Sequence, residues 1–215
     1  MPKRGTSSPD FISEGYFTRD VIPRELELTG PTTQVYGKTL HYCDPVGIHP
    51  SMTSLILQWT EGVAHGVPPE ESTLFIVGHV TGLNKNSTKA IRDQVELIQT
   101  LPENRFASVQ DTYMEKAPLI SEWDQLAETP NVIVVPFFVA DGLHSYQDIP
   151  VMLGFEKEEG KAASQKEVFR RNPYQLRDKT LYYSAAIGAE PLMADVILDQ
   201  IATFDAQNVA HTETH

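Results

Sequence analysis

Three residues of this sequence have the types and placement to do chemistry: His79, Glu115 and His144. His79 directly follows the apolar run 72–78. Glu115 stands two residues after the stretch 105–113, and His144 lies in the loop that leaves the run 131–136. Two imidazoles and one carboxylate suit a borderline divalent cation such as cobalt, iron, nickel or zinc, and they leave coordination positions open. The same groups accept protons near neutral pH. Taken singly, each has a plain reading. His79 would cap the next helix, Glu115 would be a solvated loop acid and His144 an exposed loop residue. Recurrence at three strand ends is what joins them, because ligands in open α/β sheets sit outside the carboxyl ends of the strands.

The elements that must position these residues are legible from 72 onward. Residues 72–78 and 131–136 are nearly unbroken apolar runs, as in strands covered on both faces, and Pro136 stops the second. Residues 105–112 make a third strand. Helices are expected between them. One is capped by Asn86 or Ser87, carries Ile91, Val95, Ile98 and Leu101, and is ended by Pro102. Another starts at Pro118 and carries Leu119, Ile120, Trp123 and Leu126. A strand over 179–185 and a helix over 190–204 follow a charged stretch, 154–178, with a helix near 164–171. This alternation predicts an α/β fold with a parallel sheet, helices on both faces and right-handed crossovers.

Upstream, 38–43 reads as a strand and Met52, Leu55, Ile56, Trp59 and Val63 as a helical stripe ended by Gly66. Residues 39–57 align without gaps to 180–198. Thr39/Thr180, Leu40/Leu181, Tyr42/Tyr183, Gly47/Gly188, Pro50/Pro191, Met52/Met193, Ile56/Ile197 and Leu57/Leu198 are identical pairs. Duplication is the better reading. The expected organisation is an irregular segment 1–37, a partial first lobe 38–70 that is the closing β-α unit of a first domain, a full lobe 71–205 and a flexible tail 206–215.

Composition narrows the function. A formal net charge of -12 argues against nucleic acid, which needs a basic footprint. No apolar run approaches the ~20 residues that span a bilayer. No apolar segment follows the basic pair Lys3-Arg4, so no signal peptide is expected. Cys43 is the single cysteine, which excludes an internal disulfide and a thiolate cluster. It reads as a small buried residue, and the expected location is cytoplasmic. His41 belongs to a strand, His49 to a turn and His65 to a helix end, and the terminal His-Thr-Glu-Thr-His to a frayed end. No Arg precedes His79, and neither a Gly-x-Ser-x-Gly elbow nor a Gly-rich phosphate loop is present, so a hydrolase or phosphatase is disfavoured.

The segments Val77-Gly-His-Val-Thr81, Asn84 to Ser87, Tyr113-Met-Glu-Lys-Ala-Pro118 and, above all, Val134-Val-Pro-Phe-Phe-Val-Ala-Asp-Gly-Leu-His-Ser-Tyr-Gln-Asp-Ile-Pro150 resemble the CbiX family of sirohydrochlorin cobalto- and ferrochelatases. The resemblance covers 72–205 as one lobe. Val80 stands where such sequences usually carry Gly. The resemblance implies a flavodoxin-like lobe and insertion of a divalent metal, cobalt or iron, into a sirohydrochlorin-type tetrapyrrole, in cobalamin or siroheme biosynthesis. By it His79, Glu115 and His144 are both the metal-binding and the catalytic residues. Asn84, Lys85, Ser87, Phe138, Asp141 and Gly142 would contact the ring, and Lys85, Lys116, Arg170 and Arg171 are basic candidates for its carboxylates. The metal is substrate, no organic cofactor is implied, and a homodimer or a partner would supply the missing lobe. A non-catalytic relative that carries metal or tetrapyrrole is the alternative.

Overall fold

The computed structural model describes residues 4–79, 85–157, 167–189 and 191–209. Its strands are β1 (Arg4–Ser7), β2 (Thr32–Val35), β3 (Lys38–Tyr42), β4 (Ser72–Gly78), β5 (Ser108–Tyr113), β6 (Asn131–Pro136), β7 (Tyr174–Leu176) and β8 (Lys179–Tyr183). Its α-helices are α1 (Ile22–Glu25), α2 (Met52–Val63), α3 (Lys85–Thr100), α4 (Trp123–Leu126), α5 (Ile149–Leu153), α6 (Glu167–Arg170) and α7 (Met193–Val209). Among the described residues no helix is long and apolar enough to cross a membrane.

The chain divides into two compact units, 1–52 with 191–215, and 53–190. The second holds a five-stranded sheet of order β5-β4-β6-β8-β7, in which all pairs are parallel except the hairpin β7-β8. β4 is buried at every position. Phe75 and Val77 point to one face and join Val132, Val134, Leu181 and Tyr183 in a core closed by Ile120, Trp123, Ile149 and Leu153. Leu74 and Ile76 alternate to the other face, and α3, whose Ile91, Val95 and Ile98 are buried, packs on β4 and β5. A strand covered on both faces cannot show polar alternation, hence the continuous apolar runs.

The expected strand 72–78 and strand 131–136 form at those bounds. Several other elements differ. α3 begins at Lys85, so Asn86 and Ser87 lie inside its first turn instead of capping it. Pro118 precedes a bridge from Leu119 to Tyr113 and a 3-10 turn Ile120–Glu122, because the chain first continues the sheet edge before turning. The final helix runs through Val209, past the expected end at 204 and into the segment assigned to a flexible tail.

The largest difference is at the N-terminus. Residues 1–37, expected to be irregular, contribute β1 and β2 to a three-stranded sheet of order β1-β3-β2. β1 pairs in parallel with β3, and β2-β3 is a hairpin. This sheet repeats β6-β8-β7 in detail. Ser7 stands opposite Tyr42 as Val134 stands opposite Tyr183. The hairpin turns Tyr36-Gly37 and Arg177-Asp178 both have two positive φ angles, the conformation that matches strand twist in a two-residue hairpin. A π-helical turn Phe17–Val21 leads into Ile22-Pro23, as His144–Asp148 leads into Ile149-Pro150. The Tyr42 hydroxyl donates to the Thr18 carbonyl (2.8 Å), and the Tyr183 hydroxyl donates to the Ser145 carbonyl. The duplication therefore extends upstream of residue 39 into 4–25.

Burial pushes the Tyr183 phenol well above its ordinary 10.0, with Asp141 and Tyr174 adding to the rise. The unfolded chain ionises first as pH climbs, so this contribution to stability is full below pH 10.0 and is lost above it. Tyr183→Phe is expected to cost about 1 kcal/mol at neutral pH and to flatten the alkaline fall. Urea midpoints measured at neutral pH and above pH 10.0 check both effects.

Candidate metal-handling site

The strand order decides who meets whom. β4 lies between β5 and β6, so the residue after β4 has the other two strand ends on either side. The ladders continue past the strands. Met114 N donates to Gly78 O (3.2 Å) and Phe137 N to Val77 O (2.8 Å), which holds all three exits at one end of the sheet. The chain leaves β4 toward β5 and leaves β6 toward β8, in opposite directions. Their carboxyl ends therefore flank the topological switch point where α/β sheets open a crevice.

His79 is central there. Its Nε2 lies 3.2 Å from Glu115 Oε1, and its ring stacks on that of His144 with centroids 4.5 Å apart and planes 21° apart. The three predicted residues are thus brought together as Glu115–His79–His144. Their side chains are 57%, 33% and 48% exposed, accessible to a ligand. Two stacked rings carry their in-plane lone pairs side by side, not converging. Accordingly, among the described residues no group of three or more His, Cys, Asp or Glu is arranged to hold a metal ion.

The loop after β6 is built to present His144. Ser145 is fully buried, its Oγ donates to Asp141 Oδ1 (3.1 Å), and Gly142 N donates to that Oγ (3.0 Å). Asp141 Oδ1 also accepts from Ala186 N at 2.8 Å. Asp141 and Gly142, predicted to contact substrate, have this structural work in the loop. Gly188 permits the close passage of the same loop: a Cβ there would lie 1.8 Å from Val139 O. His144 opens a π-helical turn, and its Nδ1 is 2.6 Å from Asp148 Oδ2. Asp148 is the residue in contact with this cluster that sequence reasoning missed. The His-x-x-x-Asp spacing was the available signal, since a helical turn superposes residues about four apart.

Phe138 lies beside His144, ring centroids 6.1 Å apart. Lys116 Nζ donates to Thr88 Oγ1 (3.1 Å) and sits 4.9 Å from the centre of the Tyr113 ring, whose own phenol is raised by burial and by its bond to Asp111. Arg171 is engaged elsewhere, with Glu156 and the face of Tyr174. Ser87 is half-buried in α3 and Arg170 is exposed. Val80 and Asn84 lie outside the described residues, as does the side chain of Lys85.

The remaining candidates sit apart from this cluster. His41 is buried in β3 against Phe204, and exposed His65 pairs with Glu61. His49 meets Asp199 at 3.3 Å beside a cavity of about 330 Å³. Cys43 is buried, and its thiol is raised by burial first and by Asp44 and Asp205 second. The terminal His-Thr-Glu-Thr-His lies outside the described residues.

Comparison with known proteins bears on the family and the fold. The CbiX family model matches residues 73–204. A protein of Halobacterium salinarum named probable sirohydrochlorin cobaltochelatase is 34% identical over 212 residues, 90% of this chain and 70% of that one. A multi-domain Deinococcus radiodurans structure described as similar to chelatases superposes with TM-score 0.71 at 24% identity, over 92% of this chain and 41% of that one. The structure of CbiX described as the terminal enzyme of siroheme biosynthesis in denitrifying bacteria superposes with TM-score 0.65 at 22% identity, over 92% and 74%.

Proposed function

The chain belongs to the CbiX family, and we propose that it inserts a divalent metal, cobalt or iron, into a sirohydrochlorin-type tetrapyrrole on the way to cobalamin or siroheme. The observation that carries this reading is the contact run Glu115–His79–His144 at the switch point of the sheet. Metal insertion breaks two pyrrole N–H bonds. The nitrogen electron pairs go to the metal and two protons must leave. Two imidazoles within contact of each other supply two acceptors at one place. The same rings offer the arriving metal a weak first hold. A closed cage would retain the ion, whereas an open pair releases it to four ring nitrogens. Phe138 presents an aromatic face next to His144 on which a flat macrocycle can lie.

The ring's carboxylates call for cations, and Lys116 is a cation near the site with no carboxylate partner among the described residues. Lys85 is a second candidate from its position at the start of α3. The first unit has counterparts of β6, β7 and β8, and among the described residues none of β4 and β5. A second copy or a partner that completes this unit belongs to the same reading. So does a reducing cytoplasmic setting, which a lone buried cysteine suits.

The test is an absorbance time course with sirohydrochlorin and Co2+. Metallation faster than the protein-free control supports a chelatase. Binding of the ring without acceleration makes the protein a carrier, and the absence of both rejects the proposal.

A further inference from the structure

We propose that Asp148 is a positioning residue that fixes the tautomer of His144, and that Glu115 does the same for His79 with the opposite outcome. The proposal rests on the chelatase reading for what the two rings act upon. A carboxylate 2.6 Å from His144 Nδ1 accepts the hydrogen carried there, which leaves the Nε2 lone pair open. Glu115 faces Nε2 of His79 at 3.2 Å, so that nitrogen carries the hydrogen and Nδ1 is the open one. Each imidazole then offers one lone pair, held in direction by its own carboxylate.

The duplicated turn supplies an independent observation. The first unit keeps the scaffold of the His144 turn. Gly15 N donates to Thr18 Oγ1 as Gly142 N donates to Ser145 Oγ. Gly47 N donates to Phe11 O (2.9 Å) as Gly188 N donates to Phe138 O (3.0 Å), and Ile-Pro follows the turn in both. Yet the position of His144 is Phe17 and that of Asp148 is Val21. These shared bonds of the turn are present twice, although those of Asp141 to Ser145 and Ala186 are not, since Glu14 pairs with Arg19 and Pro45 stands where Ala186 does. The imidazole and its carboxylate occur together in one copy and are absent together from the other. A residue serving only the shared bonds would have stayed with them. Asp148 follows the histidine instead, so its role lies with the imidazole.

The chemistry explains the need for such a partner. A free imidazole in water favours the Nε2–H form and rotates about its side-chain bonds. With the hydrogen on Nε2, His144 would present its lone pair to Asp148, and two negative electron pairs would face each other. With the hydrogen on Nδ1, the ring is held and its outer nitrogen is open to the metal or to a pyrrole hydrogen. The carboxylate also balances the positive charge on the ring once a proton has been taken, with no group moving.

The test is nitrogen-15 correlation spectroscopy of the histidine rings in metal-free protein, joined to steady-state metallation. Wild type is expected to show Nδ1–H at His144 and Nε2–H at His79. Asp148→Ala is expected to move His144 toward Nε2–H and to lower kcat about 10- to 100-fold with KM for the ring unchanged. Asp148→Glu, which keeps a carboxylate within reach, is expected to restore the tautomer and most of the rate. The proposal is overturned if His144 keeps its Nδ1–H form in Asp148→Ala, if Asp148→Glu is as impaired as Asp148→Ala, or if only KM changes. The tautomers are read without substrate, so a wild type that metallates nothing defeats the chelatase reading while the ring spectra still decide this one.

Discussion

His144→Phe is expected to abolish metal insertion while leaving the fold intact. Phenylalanine occupies the same position of the duplicated turn, at Phe17, where it stacks with Phe11 at 6.4 Å much as His144 neighbours Phe138. The aromatic surface and the π-helical turn therefore survive the exchange, and only the two ring nitrogens are lost. A group that accepts a proton in the rate-limiting step contributes about 100- to 10,000-fold, so metallation should fall by at least about two orders of magnitude. Circular dichroism and the urea midpoint should stay near wild type, because the side chain is half exposed. His79→Ala should cost as much. The double variant should cost little more than either single one, since the two rings act on one substrate as a unit. Retention of more than about a tenth of wild-type rate in His144→Phe would remove His144 from the mechanism.

The second large effect is structural. Gly188→Ala places a Cβ 1.8 Å from Val139 O and 2.1 Å from Val139 C, both backbone atoms that no rotamer change can withdraw. Either the loop after β6 moves or the 3-10 turn Ile187–Ala189 does. Overpacking of this kind costs about 3 kcal/mol, and the displaced loop is the one that carries His144. Loss of stability and loss of rate are expected together. Gly47→Ala meets Ile12 O at 2.1 Å and should be destabilising in the same way. Gly62→Ala is the control: it lies in α2 with nothing within 4 Å of its added Cβ, and should be neutral or stabilising by up to about 1 kcal/mol. Urea midpoints of the three variants separate the backbone clash from any general intolerance of glycine replacement.

Much of the second unit was legible because buried parallel strands and amphipathic helices leave opposite patterns. The runs 72–78 and 131–136 could hardly be anything but covered strands, and the stripe Ile91, Val95, Ile98 marks a helix. The N-terminal sheet was hidden for a physical reason. β1 is Arg-Gly-Thr-Ser and β2 is Thr-Thr-Gln-Val, four residues each, with too little apolar surface to stand out from loop. What betrays them is correspondence with the second copy: Pro9, Phe11, Gly15, Ile22 and Pro23 repeat Pro136, Phe138, Gly142, Ile149 and Pro150. The alignment that begins at Thr39 stops short of this, because the second copy carries extra residues between its helical turn and its hairpin.

Asp148 was missed for a different reason. Residues 137–150 read as loop, and in a loop a spacing of four carries no meaning. Only once His144–Asp148 is a helical turn do the two side chains meet. By itself the sequence determined the residue types, two imidazoles and a carboxylate at strand ends, and with them the kind of chemistry open to this protein. Which residue stands in the middle was decided by tertiary structure alone. The chain runs β4, β5, β6, but the sheet runs β5, β4, β6, because the connection after β5 passes back over β4 and both outer strands pair with it. That ordering places His79 between Glu115 and His144, a relation between strands that the order of residues along the chain does not contain.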